Sequence, residues 1–86
     1  MKQFTYVIQD NDGIHARPAG ILVKQAKQFE SSKITLNKGG ENADLKKLFA
    51  LMKLGVKHGD EVTVTIEDGD EQHAADILLD FFKNNL

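Results

Sequence analysis

No cysteine occurs among the 86 residues, so disulfides, thiolate metal centres and thiol catalysis are excluded, and a reducing compartment is permitted. Basic residues are not in excess: 11 Lys plus Arg stand against 13 Asp plus Glu, a formal net charge of −2. Domains that hold nucleic acid usually carry a net basic field, so that class of partner is not expected and any basic site has to be local. No apolar run approaches the ~18 residues of a membrane span, and the opening MKQFTYVIQD is too short and too polar for a signal peptide. A cytoplasmic protein without membrane insertion is the expectation. A chain of this size buries about 60% of the surface its unfolded form exposes, which allows one modest core and a single domain over 1–86. Arginine and proline occur once each, and both fall in one stretch, 12-DGIHARPAG-20.

Around that stretch the pattern alternates between strand and helix. Phe4, Tyr6 and Ile8 alternate with Thr5, Val7 and Gln9, the period of a half-buried strand that closes at Asn11, Asp12 and Gly13. Residues 16 to 29 switch to helical spacing. Ile34 and Leu36 mark a short strand, Lys38-Gly39-Gly40 a turn, and a brief extended piece precedes LKKLFALMKLG. That segment reads as a short helix stopped at Gly55, with Asp44 as N-cap, Leu45 as first helical residue and Lys47 as the third. In EVTVTIE, Val62, Val64 and Ile66 point one way and the threonines the other. Asp70 offers an N-cap to the last helix, which places Ala74, Ile77, Leu78, Phe81 and Phe82 on one apolar face. The order βαββαβα predicts an α+β fold in which helices cover one face of a sheet.

The helix that follows His15 has two faces at 100° per residue. Ala19, Leu22, Val23, Ala26 and Phe29 cluster toward the core, while Arg17, Gly20, Ile21, Lys24 and Lys27 form the opposite, basic stripe. Leu45, Leu48, Phe49, Leu51, Met52 and Leu54 surround the axis of the short helix. A helix packed on one side cannot bury them all, so an exposed apolar patch of the docking kind is expected. A helix start is an anion site, because its first N–H groups lack intrahelical partners and carry part of the macrodipole's positive charge. His15 sits at that start, where neutral imidazole can act as a nucleophile and an anion attached to it is favoured. Arg17 adds a planar, permanently charged fork suited to phosphate oxygens. These residues point to a histidine that accepts a phosphoryl group.

GIHARPAG with ILVKQAKQF, LKKLFALMKLGVKHGDEVTVT and GDEQHAADILLDFF resemble the active-site segment, second helix with following strand, and last helix of the HPr family. That family comprises histidine-containing phosphocarriers of the bacterial phosphoenolpyruvate:sugar phosphotransferase system. The resemblance covers nearly the whole chain. It implies an open-faced β-sandwich, a four-stranded antiparallel sheet with three helices on one face. It also implies phosphorylation of His15 on Nδ1 by enzyme I, transfer to IIA domains of sugar permeases, and neutralisation of the phosphoryl oxygens by Arg17 beside Ala16. Docking of both partners would use Ala16, Gly20, Ile21, Lys24, Lys27, Leu48, Phe49 and Met52. Such a protein is a carrier consumed and regenerated in a relay, not an enzyme, and it needs no cofactor and no metal. A monomer is the expected form.

Two departures from the resembling pattern stand out. The 30-ESSKI-34 stretch is one residue longer, and Lys47 stands where the family commonly has a serine that a dedicated kinase regulates. The only serines are Ser31 and Ser32. His58, in a turn, and His73, in the first turn of the last helix, read as solvated residues, and no short ligand spacing joins the three histidines into a metal site. A regulatory binding module that docks partners without sustained transfer is the alternative, although relatives of that kind typically lack the histidine. An RNA-binding or structural domain of the same topology is disfavoured by the charge and the motif.

Overall fold

Alternating apolar residues build the sheet in the computed structural model, which describes residues 1–86. In chain order the elements are β1 (Lys2–Val7), α1 (Ala16–Lys27), β2 (Lys33–Lys38), β3 (Glu41–Asp44), α2 (Leu48–Lys53), β4 (Glu61–Glu67) and α3 (Glu71–Asn85). The four strands run in the order β1-β4-β2-β3, and each neighbouring pair is antiparallel. Register follows from the two-residue period: Phe4 and Leu36 both flank Val64, and Ile34 faces Ile66, on the inner surface. Thr5 faces Thr63 and Thr35 faces Thr65 on the outer surface. A one-residue slip would expose the whole apolar set, so this register is strongly specified. Gly39 and Gly40, both at positive φ, make the two-residue turn between β2 and β3.

The three helices cover the apolar face, as expected of an open-faced sandwich. Phe82 is fully buried, with its ring edge-on to Phe4 and to Tyr6 at 5.6 Å each. At the start of α3, Asp70 Oδ1 accepts the His73 N–H at 3.1 Å, which is the cap read from the sequence. The buried stripe of α3 is narrower than expected. Ala74, Leu78, Phe81 and Phe82 are buried, whereas Ile77 is 37% exposed, because it lies at the edge of the stripe that fits against β1, β4 and α1. No helix is long and apolar enough to cross a membrane.

The start of α2 corrects the sequence reading. Asp44 is held in the ladder opposite Thr35, and the Leu45 N–H continues it by donating to the Ile34 carbonyl at 2.9 Å. The Asp44 side chain then accepts the Lys46 N–H at 2.9 Å, and its carbonyl accepts the Lys47 N–H at 3.0 Å. Asp44 therefore closes a turn, and Lys47 is the N-cap of a helix that begins at Leu48, with no side-chain cap bond. Burial of Leu45 in the core outweighs the local capping preference, which is worth only about 0.5–2 kcal/mol. Lysines secure both ends of this segment. Lys46 Nζ donates to the carbonyls of Phe29 and Ser32 at 2.7 and 2.6 Å, and Lys38 Nζ donates to the Gly55 carbonyl at 3.0 Å.

Candidate functional site

The segment from Asp10 to His15 is a folded turn, not a slack connection. Asp10 accepts the Asp12 N–H on Oδ1 at 2.8 Å and the Gly13 N–H on its carbonyl at 3.0 Å. Gly13 takes φ +67, and a Cβ there would lie 2.3 Å from the Val56 carbonyl oxygen and 2.7 Å from Lys57 Cα. Only glycine fits so close an approach at that φ. The Ile14 N–H then donates to the same Val56 carbonyl at 3.1 Å.

This pins His15 as the N-cap of α1 in extended geometry, φ −109 and ψ 178, with no side-chain cap bond to occupy its ring. Its carbonyl accepts the Ala19 N–H at 2.9 Å. Pro18 has no N–H, so the first turn leaves the Ala16 and Arg17 N–H groups without intrahelical acceptors. Both belong to the end where the imidazole sits. Arg17 is exposed and takes part in none of the ion pairs. Asp10, His15, Arg17, Pro18, Ile21 and Asn85 line an open recess of ≈ 200 Å³. An imidazole free of any cap bond, two free N–H donors and an uncommitted guanidinium at one helix end make a site suited to a tetrahedral oxyanion carried on the histidine.

Beyond the recess the stripe and the patch meet. Lys24 and Lys27 are exposed and Gly20 is half-buried, with no atom within 4 Å of where its Cβ would stand. Ile21 is 47% exposed, Leu48 37% and Phe49 87%. Leu51 supplies the buried side of α2, and Met52 is half-buried against the core. The packing of α2 on α1 places all of these on neighbouring helix faces.

Asp10, Asp12 and Asn85 are the residues that sequence reasoning missed. Asp10 Oδ2 lies 3.9 Å from His15 Nε2, and one carboxylate or imidazole atom from each of Asp10, Asp12 and His15 falls within 4.8 Å of the others. Asp12 was legible only as a turn former, and nothing in the sequence singled out Asp10. Asn85 arrives from the far end of the chain, which closes on the site when the Gln9 and Asp10 N–H groups donate to the Leu86 main-chain oxygen at 2.5 and 2.7 Å. The other histidines are engaged elsewhere. His58 Nδ1 lies 3.1 Å from the Gln9 carbonyl, and His73 packs edge-on to Phe29 at 5.8 Å.

Two carboxyls titrate below their ordinary values. The Lys57 N–H, and then the Lys38 ammonium, hold Asp60 below 3.8, with contacts of 2.8 and 3.2 Å. The N-terminal ammonium, and then the Asp68 N–H, hold Glu71 below 4.5. Asp60 steadies the turn that carries Val56 and Lys57 under Gly13. A depressed carboxyl stabilises the fold above its unfolded value and loses that contribution as pH falls through the folded one. Asp60→Asn should therefore melt earlier than the parent at pH 7, and the gap should close as pH falls below 3.8. Thermal melts of both proteins across pH 7 to pH 3 check this.

The family model described as the phosphorylation site of the HPr component of the phosphotransferase system matches residues 2–84. The phosphocarrier protein HPr of Mycoplasma genitalium is 40% identical over 74 residues, which cover 86% of this chain and 84% of that one. The crystal structure of HPr from Thermoanaerobacter tengcongensis is similar at a TM-score of 0.92 and 36% identity, covering 98% of this chain and 93% of the other. Crh, the Bacillus subtilis catabolite repression protein seen as a domain-swapped dimer, is similar at a TM-score of 0.77 and 32% identity, covering 100% and 98%.

Proposed function

Because the chain belongs to the HPr family, and so is a phosphocarrier of the phosphoenolpyruvate-dependent sugar phosphotransferase system, we propose that His15 is the residue that carries the phosphoryl group. The observation that carries this reading is the imidazole at the N-cap of α1, uncommitted to any cap bond, beside the unshared Ala16 and Arg17 N–H groups and the Arg17 guanidinium. In this reading the Nδ1 lone pair attacks phosphorus, the donor's leaving atom takes the electron pair of the broken bond, and the P–Nδ1 bond forms. The helix end and Arg17 stabilise the added negative charge. The carrier catalyses nothing alone: it is loaded by enzyme I and unloaded by a IIA domain. Incubation with enzyme I and radiolabelled phosphoenolpyruvate should give one acid-labile, base-stable phosphate per chain, and a chain that stays unlabelled would overturn the reading. One copy supplies every residue of the site, which fits a monomer, and a cytoplasmic location fits the relay.

Ile21, Leu48 and Phe49 form the apolar centre of the docking face in this reading, with Met52 beside them and Lys24 and Lys27 at the rim. Rim charges steer encounter more than they hold the complex. Lys24→Glu or Lys27→Glu should slow association with enzyme I, by about ten-fold at low salt, with a smaller change in dissociation. Stopped-flow measurements at two ionic strengths check this, and a rate indifferent to salt would reduce the stripe to a solvated face.

The likeness to Crh keeps one second reading in view, a regulatory module that binds without sustained transfer. The presence of His15 weighs against it. Regulation through a serine at the start of α2, or through Ser32, has no foothold here. Lys47 occupies the N-cap of α2, and Ser32 is buried with its hydroxyl donating to the Asp68 carbonyl at 2.7 Å.

A further inference from the structure

We infer that Asp10 is a positioning residue for phosphoryl transfer, holding a proton on His15 Nε2 so that Nδ1 stays the nucleophile and later becomes a good leaving atom. This rests on the proposed role of His15. Asp10 Oδ2 stands 3.9 Å from Nε2, and its partner oxygen is anchored by the Asp12 N–H at 2.8 Å. The Asp10 N–H is anchored too, donating to the Leu86 oxygen at 2.7 Å. The carboxylate is thus fixed by its own turn on the Nε2 side of the ring.

The consequence follows from the proton inventory. A neutral imidazole with its proton on Nε2 offers the Nδ1 lone pair to phosphorus. When the P–Nδ1 bond forms, the ring keeps its Nε2 proton and becomes cationic, which the Asp10 carboxylate favours. In outward transfer the acceptor's nitrogen bonds to phosphorus and the P–Nδ1 electron pair returns to Nδ1. The ring leaves as the neutral Nε2–H imidazole, and no proton enters or departs. Without that proton the leaving group would be an imidazolide anion, a far poorer one.

The charged and titratable groups around the ring are few. Asp10 and Asp12 come from the β1–α1 turn and Arg17 from α1, and α3 contributes the uncharged Asn85. The Leu86 oxygen is taken up by Gln9 and Asp10, and His58 is directed to the Gln9 carbonyl. Asp10 is the carboxylate that stands 3.9 Å from Nε2, whereas Arg17 is suited to the phosphoryl oxygens.

The test needs no partner protein to load the carrier, since phosphoramidate, a chemical phosphoryl donor, can phosphorylate the parent, Asp10→Asn and Asp76→Asn. Asn keeps an oxygen for the Asp12 N–H, so the turn is preserved. The expected result is that Asp10→Asn slows phosphoryl release to imidazole about three- to ten-fold at pH 8, as a single exposed charge allows. Near pH 5, where solvent supplies the ring proton, it should match the parent, and Asp76→Asn, on α3 and outside the recess, should match throughout. Nitrogen-15 spectra of the unphosphorylated parent should show the Nε2–H tautomer dominant. A dominant Nδ1–H tautomer, phosphate found on Nε2, or equal slowing at both pH values would overturn the role of Asp10 while leaving His15 as carrier. A parent that takes up no phosphate on His15 would overturn both.

Discussion

His15→Ala protein mixed with enzyme I and labelled phosphoenolpyruvate is expected to take up no phosphate above background, while its far-ultraviolet spectrum and melting curve match the parent. The loss should be complete because the variant keeps the helix-end donors and Arg17 but has no lone pair to attack phosphorus. Stability should barely change. The His15 side chain makes no cap bond, and the anchors of the turn are main-chain bonds of Gly13, Ile14 and Ala19. His58→Ala and His73→Ala should label as the parent does, since their rings face the Gln9 carbonyl and Phe29. Undiminished labelling of His15→Ala would move the chemistry to another residue.

Gly13→Ala is expected to give the largest loss of stability among single-methyl changes near the site. An L-residue in the left-handed region costs about 1–2 kcal/mol. Here the new Cβ would also meet the Val56 carbonyl oxygen at 2.3 Å. That oxygen cannot retreat without stretching the bond it accepts from the Ile14 N–H at 3.1 Å, so overpacking adds about 1–3 kcal/mol. A total of roughly 2–5 kcal/mol would lower the midpoint of a chain this size by about 10 °C or more. Labelling should slow as well, because the same contact sets where His15 enters α1. Gly20→Ala is the matched control: nothing lies within 4 Å of its Cβ position, and alanine in a helix gains up to ~1 kcal/mol over glycine. A Gly13→Ala protein as stable as the parent would show that the turn can shift away from Val56 at little cost.

Much of the fold was legible because its determinants are local. Val62, Val64 and Ile66 alternate strictly and form the inner face of a central strand. Asp70 caps α3 because cap chemistry involves residues three apart. The motif around His15 was legible for the same reason, since a helix start, a proline and an arginine act within one turn. The start of α2 was not. Asp44 has good capping chemistry, yet its place opposite Thr35 and the burial of Leu45 depend on β2, which local preference does not register. Ile77 went astray similarly, as helical periodicity defines a stripe's centre and the neighbouring elements define its width.

Periodicity and motif chemistry within single elements thus determined the element order, the core faces, the histidine proposed to accept the phosphoryl group and the basic stripe. Tertiary structure decided which distant groups share the site. Only folding brings the Val56 carbonyl under Gly13 and carries Asn85 to the recess beside His15. Folding also turns the Asp10 carboxylate to Nε2. Such placements arise from main-chain hydrogen bonds and close packing between segments far apart in sequence, whose geometry no short-range pattern encodes.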